Sequence, residues 1–113
     1  MSPVDQANAA IDALLAAADR VGKACVNEME LEDGRPAQKS AAVRRLMGTD
    51  NPETSKPHSA SSAEKIVETD AEYAAYRRTQ YSAVVEKARA YGERDAALLR
   101  AKLTVALATQ AAA

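Results

Sequence analysis

The sequence predicts an all-α protein: an elongated antiparallel helical hairpin with a short middle helix and a polar linker. Three observations carry this. Of 113 residues, 27 are alanine, while isoleucine, valine, leucine and phenylalanine together number 18, too few for an ordinary thick core. Tryptophan and phenylalanine are absent and there are only four glycines and four prolines, which disfavours a sandwich or barrel of short, turn-linked strands. Finally, two long stretches repeat their apolar residues at helical period.

The chain reads as a single helical domain over residues 1–113. Ser2, Pro3 and Asp5 place a capping hydroxyl, a first-turn proline and an acid at the third helical position, so a helix starts at residue 3 and runs to 32. Val4, Ile11, Ala18 and Cys25 recur every seven residues, flanked by Leu14, Leu15, Val21 and Met29, as an apolar stripe. Asp5, Asp12 and Asp19 form an acidic ridge beside it. Gly34 and Pro36 read as a stop. Residues 26–33 also suit a short strand ahead of Asp33-Gly34, with helix favoured.

A short helix is expected at 37–47, closed by Gly48, and a polar linker at 48–62, where Asn51-Pro52 and Lys56-Pro57 interrupt regular structure. His58 falls in that linker and reads as solvated. Ser61 to Glu64 and Thr69 to Glu72 are capping boxes, opening a short helix at 62–68 and a long one at 70–109, on the order of 60 Å if unbroken. On the long helix Tyr73, Tyr81, Val84, Ala88, Tyr91, Leu98, Leu99, Leu103 and Ala106 share the face expected to be buried. Arg77, Asp95 and Lys102 interrupt that face. The short carboxylate of Asp95 is expected to pair with Arg77 or Lys102 of a second helix or with a base from the polar middle, the alternative being that this part of the stripe is solvent-exposed.

Charge is unevenly spread although the net is −1. Acids dominate residues 1–33 and bases dominate 73–113, so the two ends attract each other. No secretory signal or membrane-spanning run is present, and a lone cysteine suits a reducing cytoplasm. With one histidine and one cysteine, neither a catalytic constellation nor a metal or cofactor site is expected. Tyr73, Tyr76, Arg77, Arg78 and Tyr81, with Arg44 and Arg45 of the middle helix, are the candidate interaction residues, because rings and guanidinium groups interleave as on single-strand nucleic-acid surfaces.

Residues 51–107 carry Asn51-Pro52-Glu53-Thr54, then Lys56-Pro57-His58-Ser59-Ala60-Ser61-Ser62-Ala63-Glu64, then Glu72-Tyr73 opening a long Ala- and Arg-rich helix. This stretch resembles small helical proteins of bacteriophages and prophages, often encoded among early genes for DNA recombination or for countering host defences. The resemblance implies a non-enzymatic protein in the cytoplasm of a bacterial host, binding a host or phage complex of DNA metabolism or defence, with inhibition of the anti-CRISPR kind among the outcomes. The alternative is a nucleic-acid-binding accessory protein in recombination or replication that uses the basic C-terminal helix. Self-association is expected on either reading, since one hairpin with so few large apolar residues buries little surface.

Overall fold

A computed structural model describes the whole chain, Met1 to Ala113. Helix accounts for 85 % of it, so the all-α class holds, and the two long helices pack as a hairpin. The order is α1 (Pro3–Met47), β1 (Asp50–Asn51), β2 (Lys56–Pro57), α2 (Ala60–Lys65), a 3₁₀ turn (Val67–Thr69) and α3 (Ala71–Ala112). The chain divides into two compact units. The first contains Met1–Glu28 and Ala83–Ala113, the second Met29–Ser82.

The expected break between residues 32 and 37 is absent: α1 runs through both Gly34 and Pro36. Local stop signals are overridden by packing at this point, because the Tyr76 hydroxyl donates to the Leu31 carbonyl, beside Gly34. A Cβ at Gly34 would lie 2.7 Å from the same phenol oxygen, so glycine there admits a ring rather than ending a helix. The start of α1 is as read, with the Asp5 amide donating to Ser2 Oγ at 3.1 Å.

In the first unit the seam is alanine. Covered or half-covered positions on α1 are 7, 10, 14, 17, 21, 24 and 28, with Cys25 half-covered beside them, and on α3 they are 83, 87, 90, 94, 97, 101, 104 and 108. Both follow the alternating three-and-four spacing of a helix–helix seam. Ala7, Ala10, Ala17, Ala83, Ala90 and Ala101 are buried, with Val21 the one larger buried side chain. Such small residues let helix axes approach to about 8 Å, the near end of the usual range. The large apolar residues of the expected buried face lie outside this seam: Leu99 is 68 % exposed and Leu103 60 %. The predicted stripe is therefore rotated from the true one, because hydrophobicity ranks leucine above alanine while close helix approach selects alanine.

The second unit has its own small core of Ala42, Val67 and Tyr73, with Val43 and Leu46 packed against it. The expected linker at 48–62 forms a tight hairpin in which Asp50 pairs with Pro57 and Asn51 with Lys56. Ser55 takes a positive φ of 58° at its turn, and Asn51 Oδ1 accepts the Glu53 amide at 3.0 Å. His58 is buried rather than solvated. Its ring shares a 2.8 Å hydrogen bond with Ser62 and its amide donates to the Thr49 carbonyl. The following helix begins at Ala60, capped by Ser59, whose hydroxyl accepts the Ser62 amide at 3.1 Å. The cap of α3 is Asp70 rather than Thr69, whose hydroxyl donates back to Ile66.

Candidate interaction face

The heptad spacing of the seam sorts the rest of the first unit into two flanks. On one flank Val4, Ile11, Ala18 and Cys25 of α1 repeat every seven residues, and so do Val84, Tyr91, Leu98 and Val105 of α3. The two rows meet at both ends. Val4, Ile11 and Val105 line one groove, and Cys25 Sγ shares a hydrogen bond with Tyr91 Oη at 3.7 Å. Leu15, Val85 and Leu99 extend the same flank outward and are each at least 60 % exposed. The opposite flank carries charge: Arg20 bridges to Glu93 at 3.4 Å, and Gln6, Ala13 and Arg100 line the groove beside them.

Asp95 and Lys102 lie between the Leu98 row and Leu99, so the larger apolar side chains of this flank surround two charged ones. The flank has few polar contacts of its own. The hydrogen bond to Cys25 raises the Tyr91 phenol above its ordinary pKa, and Arg94, 4.8 Å from the ring centroid, works against that rise. Within the seam, Lys87 reaches Glu28 at 2.7 Å, a contact that raises the lysine pKa.

The residues singled out from the sequence are divided by the second unit. Tyr73 is 2 % exposed and belongs to the core; Tyr76 is half-buried and bound to Leu31. Arg45 is engaged by Asp70 at 2.6 Å and Glu72 at 3.2 Å, the aspartate contact being the main cause of its raised pKa. Arg77 stands 4.9 Å over the Tyr81 ring and donates to the Tyr81 hydroxyl and to Gln80. Arg44 and Arg78 are exposed. Of the three rings nearest the arginines, only Tyr81 presents itself to solvent.

The buried pairing expected of Asp95, Arg77 and Lys102 is not formed within one chain. Asp95 is 65 % exposed and meets its neighbour Arg94 at 3.1 Å, Lys102 is exposed, and Arg77 is held by Gln80 and Tyr81. The physical reason is the rotated seam, which leaves Asp95 and Lys102 on the outer side of α3. Reading bulk as burial hid the apolar flank from sequence reasoning; the seven-residue spacing of alanine at Ala83, Ala90 and Ala97 was the signal that could have found it.

No cluster of three histidine, cysteine, aspartate or glutamate side chains is placed to hold a metal ion, and no helix is long and apolar enough to cross a membrane. The chain matches no protein-family model, no curated protein and no solved structure.

Proposed function

We propose that this chain is a non-enzymatic interaction protein whose work is done by the apolar flank of its first unit, which binds protein. The observation that carries the reading is the composition of the helix pair: alanine makes up most of the buried seam while Val4, Ile11, Val84, Tyr91, Leu98 and Val105 lie exposed along one flank. Leaving side chains of this size in water forgoes about 25 cal/mol for each Å² of apolar area that a partner would cover. The non-enzymatic part rests on the sequence, which has one histidine and one cysteine. The bacteriophage setting, the host cytoplasm and a target in DNA metabolism or defence rest on the sequence resemblance alone.

Direct nucleic-acid binding by the basic last helix is the weaker reading. Its stacking platform loses Tyr73 and Tyr76 to the packing of the second unit, and Arg45 is committed to two carboxylates.

The test is photocrosslinking of the full chain in bacterial cells, with a benzophenone amino acid replacing Leu98 and, as control, Ala13 on the charged flank. A protein adduct from position 98 and none from position 13 is expected. No adduct from 98, or equal adducts from both, would overturn the reading.

A further inference from the structure

We propose that the occupant of this flank is a second copy of the chain, with two α3 helices crossing antiparallel about a two-fold axis that passes between Leu98 and Leu99. The inference rests on the reading of the flank as a protein-binding surface and adds its partner.

The accessible surface is large enough for a partner of this size. The chain leaves 7684 Å² accessible, whereas a folded monomer of 12.0 kDa leaves about 6,000 Å². The excess, about 1,700 Å², is roughly twice the 800 Å² that each partner gives up in a standard interface.

Charge argues that the partner is the chain itself. Asp95 and Lys102 are seven residues apart in one heptad row and lie equally far on either side of the Leu98–Leu99 midpoint. An antiparallel crossing at that midpoint sets Asp95 of each copy opposite Lys102 of the other. The pattern is self-complementary, as a two-fold interface requires, since a contact made once is made twice. In the single chain these groups are scarcely used: Asp95 meets only Arg94, and Lys102 has no ion pair. Leu98 of each copy then meets Leu99 of the other about the axis and the flanking apolar residues close over them, so the face is consumed and no open edge remains to propagate a filament.

The test is sedimentation equilibrium at micromolar concentration on the full chain and on Asp95→Lys, Lys102→Asp and the combined exchange, with helicity measured for each. A dimer is expected for the natural sequence. Each single reversal places like charges opposite one another twice and should weaken dimerisation about tenfold or more, and the combined exchange should restore it. Because both residues are exposed, helicity should be unchanged throughout. A monomer at tens of micromolar, or a dimer indifferent to the single reversals, overturns the proposal. The crosslinking experiment separates the two levels. An adduct from position 98 to a different protein, with a monomeric natural chain, removes the second copy and leaves the interaction face standing; no adduct at all removes both.

Discussion

Arg45 holds Asp70 at two points, Nε to Oδ1 at 3.0 Å and Nη2 to Oδ2 at 2.6 Å, while Oδ2 also accepts the Tyr73 amide at 2.9 Å. One carboxylate thus closes the last turn of α1 onto the first turn of α3 and caps α3. Its geometry is the planar fork that lysine cannot reproduce.

Asp70→Ala should lower stability by about 1 kcal/mol for the cap alone, with the lost ion pair adding to this. Asp70→Asn keeps a capping oxygen and should fall between the alanine variant and the natural chain. Urea midpoints at neutral pH give the order, and an asparagine variant as unstable as the alanine one would show that the cap contributes nothing.

The contact with Arg45 holds the Asp70 carboxyl below its ordinary pKa. A depressed folded-state pKa means that this stabilisation is complete above the unfolded value of about 3.9 and is lost as pH falls through the folded one. The gap in urea midpoint between the natural chain and Asp70→Asn should therefore stay constant from pH 7 to about 5 and narrow in stronger acid. A gap of the same size throughout the acid range contradicts the assignment.

Gly34→Ala should fail to stabilise α1 although alanine is better in a helix interior by about 1 kcal/mol. The new methyl would lie 2.7 Å from the Tyr76 phenol oxygen and force it off the Leu31 carbonyl. In a Tyr76→Phe background the same change should recover its gain of about 1 kcal/mol. Thermal or urea unfolding of the four variants in this cycle checks the coupling; additivity would mean that the ring and the glycine do not constrain each other.

Pro36 lies inside α1 and is exposed, so it withholds one backbone hydrogen bond without filling a core position. Pro36→Ala should raise stability by up to about 3 kcal/mol. A lowered urea midpoint would show that the proline has a packing role.

The sequence reveals the hairpin because its signals there are local. Ser2 and Asp5 announce the start of α1, and the polar run from Thr49 to Ser59 breaks the helical pattern where the chain turns. Gly34 and Pro36 mislead because the same residues serve a different need. What Gly34 answers is the approach of Tyr76, 42 positions away, which no local pattern carries. His58 misleads likewise, since its burial depends on the pairing of Asp50–Asn51 with Lys56–Pro57 around it. The interaction face is harder still. Val84, Tyr91, Leu98 and Val105 look like core on any hydropathy wheel, and only the demand for close approach along Ala83, Ala90 and Ala97 moves them outside.

A seam built of one repeated residue is also a ruler whose marks are alike. Sliding α3 of the first unit past α1 by one heptad would exchange Ala83 for Ala90, Ala90 for Ala97 and Ala101 for Ala108, and would bring Arg94 opposite Glu28 where Lys87 now stands. Each of these swaps keeps its chemistry, and within the seam only the replacement of Arg94 by Ala101, of Ala97 by Thr104 and of Thr104 by Ala111 marks the shifted alignment. The pairs that do not survive the slide are Cys25 with Tyr91, whose place would be taken by Leu98, and Arg20 with Glu93, whose place would be taken by another arginine, Arg100. Two contacts of little strength thereby add to the positional information held by Arg94, Ala97 and Thr104, and their worth lies in the wrong alignment they help to reject.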